Sequence, residues 1–108
     1  PDFSNTEGID WFVEGLATFA SGQCDTSRIA EVKKAIRDKS IPVSLDSFWK
    51  GKMKYSLSGS VVLFLDYQYG RTKLLELLPL NKKSAILSEL NTTESALLEG
   101  WKSYIRDL

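Results

Sequence analysis

Few residues of this 108-residue sequence could carry catalytic or metal-binding chemistry, because it contains no histidine and a single cysteine, Cys24. Without histidine, the chain can form neither a Ser-His nor a Cys-His catalytic pair, and it cannot build a zinc site on histidines of its own. We expect Cys24 to be a small loop or packing residue, since it has no partner for an intrachain disulfide. The main candidate is Glu14, a carboxylate followed directly by Gly15 in the stretch DWFVEGLATFA.

Glu14 and Gly15 lie in a segment, from about residue 6 to 21, whose apolar residues recur at helical spacing. The predicted apolar face consists of Ile9, Phe12, Val13, Leu16, Phe19 and Ala20. Glu14 falls on the opposite face, where a solvated glutamate is ordinary. Gly15 destabilises a helix interior by roughly 1 kcal/mol relative to alanine, and close approach of a second helix would explain its presence. Whether the polar face meets solvent or another helix stays open at this point.

The remaining segments are also predicted to be helical, with a central core helix at 58–69 that is apolar nearly all round. A buried strand is the alternative for 61–65, but the length of the segment and Gly70 as a stop favour a helix. The other predicted helices are 27–38, a short one capped by Ser44, 71–80, 82–90 and about 92–105. We expect 51–60 to be polar and flexible, and the three tryptophans, Trp11, Trp49 and Trp101, to be core residues. The sequence therefore predicts that residues 1–108 form one all-α domain, a compact bundle of five or six helices.

The charge balance argues against several classes of partner. Fourteen basic residues balance fourteen acidic ones, so a strong attraction to nucleic acid or anionic lipid is not expected. The pairs Lys33-Lys34 and Lys82-Lys83 are isolated. No apolar run approaches the roughly 18 residues of a membrane span, and the start shows no signal-peptide pattern. We predict a soluble protein without a nucleic-acid partner; its localisation is not indicated.

The stretch DWFVEGLATF, residues 10–19, resembles the W-x-x-E-G-L-A-x-aromatic segment of gluzincin-type zinc metallopeptidases of the peptidase MA-like group. YSLSGSVVLFLDYQYG at 55–70 is similar to the family's apolar helix ending in Tyr-Gly, and RTKLLELL at 71–78 to the short helix after it. Glu94, Trp101 and Tyr104 resemble the final E-x-x-W-x-x-Y-L-like helix. The resemblance covers most of the chain, and W-x-x-E-G-L-A is its most specific part. It implies the C-terminal helical subdomain of a zincin-like metallopeptidase.

The resemblance implies particular roles. In this family an upstream helix carries H-E-x-x-H, whose histidines bind zinc and whose glutamate is the general base on the metal-bound water. The glutamate of W-x-x-E-G-L-A is the third protein ligand, which makes Glu14 the implied zinc ligand. Thr18 or Asp10 is proposed to hydrogen-bond a ligating histidine. The alternative is that each of them is an ordinary polar residue at the surface. Tyr55 is the candidate oxyanion stabiliser, with a packing tyrosine as the alternative.

The sequence departs from the family because the H-E-x-x-H element is missing, and it would lie before Pro1. We favour the C-terminal part of a longer peptidase, because the sequence starts about where the connection between the two ligand helices would end. Zinc and a peptide or protein substrate would then belong to the full-length protein, and residues 1–108 alone should be inactive. The alternative is a non-catalytic helical interaction module whose first helix binds a partner helix. A nucleic-acid-binding domain is disfavoured by the zero net charge.

Overall fold

The structure is a computed structural model that describes residues 10–22, 26–41, 44–49, 53–80 and 82–108, without the side chains of Asp10, Asp46 and Trp49. Within these ranges the chain forms helices and no β-strand, so the predicted all-α bundle is confirmed. Its elements are α1 (Asp10–Ala20), α2 (Thr26–Arg37), a 3-10 helix (Leu45–Trp49), α3 (Lys54–Tyr69), α4 (Arg71–Glu76), α5 (Lys83–Glu89) and α6 (Glu94–Arg106). The expectations for Cys24, for the Trp49 side chain and for residues 6–9 of the first helix lie outside what is described.

Helix α3 is the centre of the fold, as its apolar composition predicts. It contacts α1, α2, the 3-10 helix, α4 and α6, and Val61, Val62 and Leu65 are buried in the core. The prediction that 51–60 is polar and flexible is wrong for its later part. Helix α3 already begins at Lys54, and the serines at 56, 58 and 60 are all buried. Small side chains lower the apparent hydrophobicity of this stretch, yet they let neighbouring helices approach closely.

A hydrogen-bonded chain joins α6 to α3 through the core. The buried Trp101 donates its indole Nε1–H to Ser60 Oγ at 2.9 Å. Ser60 in turn donates to the carbonyl oxygen of Leu57 at 2.7 Å. Phe48 of the 3-10 helix packs edge-on against Trp101, with ring centroids 5.0 Å apart. The core position predicted for Trp101 is therefore confirmed, and its polar edge is satisfied by a serine.

Glu94, the first residue of α6, caps the 3-10 helix, which lies far from it in the sequence. Its Oε2 accepts a 2.7 Å hydrogen bond from the backbone N–H of Leu45, and its Oε1 accepts one from Lys83 Nζ at 3.1 Å. Sequence reasoning assigned the cap to Ser44, whose hydroxyl instead meets the Ser47 hydroxyl at 3.3 Å. One carboxylate therefore links the 3-10 helix, α5 and α6.

Candidate functional site

Helix α1, which carries Glu14, turns a different face to the core than its apolar pattern predicts. Trp11 and Phe12 are buried as expected, but Gly15 and Thr18 are buried with them. Leu16 and Phe19, expected on the core face, are only half-buried. The reason is the partner: α1 packs mainly along α3. Gly15 faces that helix at contact distance, while Leu16 and Phe19 lie at the flanks of the interface.

Gly15 is the point of closest approach between α1 and α3. A Cβ placed on Gly15 would overlap the carbonyl oxygen of Ser58, and it would lie 2.8 Å from the Ser58 carbonyl carbon and 2.9 Å from Val62 Cγ2. The predicted close approach of a second helix is confirmed, and that helix is α3. Gly15 is thus explained by packing within the chain, so it does not itself point to an additional helix from upstream.

Glu14 stands at the edge of this interface. Its residue is half-buried, and its carboxylate forms no hydrogen bond or ion pair with the residues that the structure describes. Its backbone carbonyl accepts a hydrogen bond from Thr18 Oγ1 at 2.9 Å. The carboxylate is therefore held on a helix whose position α3 determines, and its oxygens are not used by the described part of the chain.

Thr18 and Asp10 were the candidates for orienting a ligating histidine. Thr18 is not a surface residue: it is only 3% exposed, and its hydroxyl donates to a carbonyl of its own helix. Such back-bonding satisfies a threonine within a helix interior, and it leaves the oxygen able to accept one further hydrogen bond. Asp10 begins α1, but its side chain is outside the described part of the structure. Both assignments stay predictions.

Tyr55 lies in the first turn of α3 rather than in a flexible segment before it. It is 42% exposed, so it is a surface ring and not a buried packing residue. Two cations stand near its ring: the Lys54 ammonium at 5.4 Å and the Arg28 guanidinium at 5.9 Å from the centroid. These distances are within the range of cation–π attraction. The ring therefore lies beside two cationic side chains, one turn of helix before Ser58, the residue that faces Gly15.

Metal-ligating side chains do not cluster within the described residues: no group of three among histidine, cysteine, aspartate and glutamate could hold a metal there. Arg71 and Lys73 form surface ion pairs instead. The hydrogen bond that Arg71 donates to Asp66 raises the pKa of Arg71, and the hydrogen bonds that Lys73 donates to Glu76 and Glu89 raise the pKa of Lys73. Within the described residues, Glu14 therefore does not belong to a group of three metal-ligating side chains.

In the part of the chain that the structure describes, the fold is all-α, and the carboxylate of Glu14 has no partner beside the close contact of α1 with α3. Comparisons with protein-family models, with curated proteins and with solved structures found nothing that matches this chain. Among the described residues, no helix is both long and apolar enough to cross a membrane.

Proposed function

We propose that this chain is the helical C-terminal portion of a zinc-dependent metallopeptidase, in which Glu14 is the carboxylate ligand of the metal. Two histidines of an upstream H-E-x-x-H helix would complete the ligand set. The observation that supports the proposal best is the state of Glu14. It is half-buried, and its carboxylate has no partner among the described residues. The next residue of the same helix, Gly15, is in close contact with α3.

This arrangement suits a metal ligand for physical reasons. A hydrolytic zinc site needs about three protein ligands and one open position, where the metal lowers the pKa of bound water to about 7. The ligands must be held within about half an ångström of the productive geometry. Backbone contact between α1 and α3 supplies such rigidity at the position next to Glu14. A carboxylate already engaged in an internal ion pair would have to break that pair before it could bind a metal, and Glu14 avoids this cost.

The outer face of α1 presents small side chains near Glu14. Ala17 and Ala20 are exposed there, and Val13 and Leu16 are half-buried beside them. Small side chains allow two helices to cross closely, as the ligand helices of the proposed site must do. The same face supports the second candidate function, a non-catalytic interaction module in which a partner helix packs on α1 and Glu14 is only a surface charge.

Tyr55 is proposed as the group that stabilises the oxyanion during hydrolysis. Its exposure at the start of α3 supports this role, because a phenol that donates to developing negative charge must be accessible to the substrate. The neighbouring Arg28 and Lys54 would favour negative charge in the same region. Thr18 and Asp10 remain the proposed hydrogen-bond partners of the histidine ligands.

The test uses the full-length protein that contains this sequence. Metal content is measured by plasma mass spectrometry and hydrolysis with a fluorescent casein substrate, in the wild type, Glu14→Gln and Glu31→Gln. Glu31 is an exposed glutamate of α2, so it controls for loss of a surface charge. We expect zinc and hydrolysis in the wild type and in Glu31→Gln. Glu14→Gln should lose zinc affinity by about 100-fold and lose hydrolysis with it.

Two results would overturn the zinc proposal: a full-length sequence with no H-E-x-x-H upstream, or a Glu14→Gln protein that keeps its zinc and its activity. Circular dichroism establishes that each variant is folded. If the full-length protein holds no zinc, the interaction module is tested by a search for helical partners. The variant Ala17→Arg is then used to block the binding of a partner helix on α1. Loss of partner binding in Ala17→Arg, but not in Glu31→Gln, would support that second function.

A further inference from the structure

Helices α2 and α6 form the walls of an open groove of about 780 Å³. Its apolar lining comes from Ile36, Ile41 and Leu98, and its cationic lining from Lys39, Lys102 and Arg106. Lys33 Nζ donates to the backbone oxygen of Leu108 at 2.7 Å, which ties α2 to the end of α6. The groove thus combines these apolar and cationic side chains with two serines and with the carboxylates of Glu94 and Glu99, and it does not include the helix that carries Glu14.

The groove carries an excess of positive charge, although the chain as a whole is neutral. Lys39 forms no ion pair with the described residues, and Arg106 donates a long hydrogen bond of 3.4 Å to Ser103 Oγ. Lys102 pairs with the exposed Glu99 at 3.5 Å. The other acidic residue of the groove, Glu94, is held by Lys83 and by the N–H of Leu45. Cations therefore outnumber the carboxylates that could neutralise them.

The backbone at Lys39 adopts an uncommon conformation for a lysine. Lys39 has a φ of 56°, the left-handed conformation that favours glycine. The N–H of Lys39 bonds to the Ile36 carbonyl at 3.1 Å, and the N–H of Ser40 bonds to the Ala35 carbonyl at 2.9 Å, which is the Schellman ending of a helix. A lysine there is less stable than a glycine, and residues retained in unfavourable backbone conformations concentrate at functional sites.

We propose that this groove docks an acidic amphipathic segment of a partner protein. Apolar side chains of that segment would lie on Ile36, Ile41 and Leu98, and its carboxylates would meet Lys39, Lys102 and Arg106. The apolar residues of the lining favour a peptide over a membrane surface or a nucleic acid, because neither of those would place apolar side chains into a groove of this kind. The proposal does not depend on zinc binding at Glu14.

The experiment pans a phage library of random peptides, each of about 12 residues, on the full chain. A selected peptide is then measured by fluorescence anisotropy. We expect the selected peptides to combine apolar residues with at least two acidic ones. The double variant Lys39→Glu/Arg106→Glu should weaken binding about tenfold. The control Lys34→Glu/Arg37→Glu makes the same charge change at exposed positions of α2 outside the groove, and it should leave the affinity within about twofold.

Lys39→Gly separates a functional lysine from a structural one. We expect a rise of a few degrees in the thermal midpoint, about 3 °C, because glycine relieves the left-handed backbone, together with weaker peptide binding. The proposal would be overturned by selected peptides without acidic residues, by no selection at all, or by equal weakening in both double variants. It would also be overturned if vesicles of phosphatidylserine and phosphatidylcholine bound with the same dependence on Lys39 and Arg106, which would indicate a lipid surface.

Discussion

Gly15 of α1 and Ser58 of α3 are in backbone contact: a Cβ at position 15 would overlap the Ser58 carbonyl oxygen and lie 2.8 Å from its carbonyl carbon. An ordinary exposed helical glycine gains about 1 kcal/mol of stability when it is replaced by alanine. We predict the opposite sign here. Gly15→Ala should lose at least about 2 kcal/mol in urea unfolding, because a helix backbone cannot move aside as a side chain can.

Gly100→Ala is the matched control for Gly15→Ala. A Cβ at Gly100 would meet the Phe64 ring carbon Cζ at 2.9 Å, so the obstacle is a side chain that can rotate. The loss should be smaller than at Gly15, and about zero if the ring shifts freely. Equal losses in the two variants would show that the α1–α3 contact is not the special feature of Gly15.

Two buried serines of α3 should respond in opposite directions to the same change. Ser60 accepts the indole N–H of Trp101, so Ser60→Ala leaves a buried donor without its partner and should cost about 1–3 kcal/mol. Ser58 Oγ is buried and has no hydrogen-bond partner among the described residues. Ser58→Ala removes that unpaired group and should be neutral or stabilising. Chemical denaturation of both variants measures the contrast, and a loss of stability in Ser58→Ala as large as that in Ser60→Ala would contradict it.

Glu94 should contribute more to stability than an ordinary surface glutamate. Glu94→Ala removes the acceptor for the Leu45 N–H and the partner of Lys83, so we expect a loss of about 1–2 kcal/mol. Hydrogen exchange of the Leu45 amide should become faster. Glu99→Ala, at a carboxylate that is 73% exposed, should change stability by less than about 0.5 kcal/mol. Unchanged exchange at Leu45 would show that the Glu94 carboxylate does not cap the 3-10 helix in solution.

Stability should be nearly constant between about pH 5.5 and 7.5, because the chain has no histidine, the side chain that ordinarily titrates there. The ion pairs of Lys73 do not change this expectation. Its pKa is raised in the folded state, so their contribution is complete below the ordinary lysine pKa and fades only as the pH rises above about 10. Urea unfolding at several pH values measures the slope; a steep slope near neutrality would indicate a buried titrating group.

The interior of α3 marks where sequence reasoning succeeded and where it failed. Val61, Val62 and Leu65 were expected in the core because a continuous apolar segment must be buried on several sides, and they are buried. Ser56, Ser58 and Ser60 fall in the stretch 51–60 that was expected to be polar and flexible, of which only 58–60 overlap the predicted helix, although all three are buried in α3. Hydrophobic periodicity could not find them, because serine is buried only where another chain segment comes close or supplies a hydrogen-bond partner.

The sequence alone therefore determined the all-α class, the approximate boundaries of most helices, the core position of Trp101 and the absence of histidine chemistry within the chain. These follow from local spacing and composition. Only the tertiary structure decided that Thr18 is buried, that Gly15 serves the contact with Ser58, that Glu94 caps a distant helix, and that Lys39 and Arg106 share one groove. Each of these depends on which backbone or side chain lies opposite, and that partner comes from a distant part of the chain.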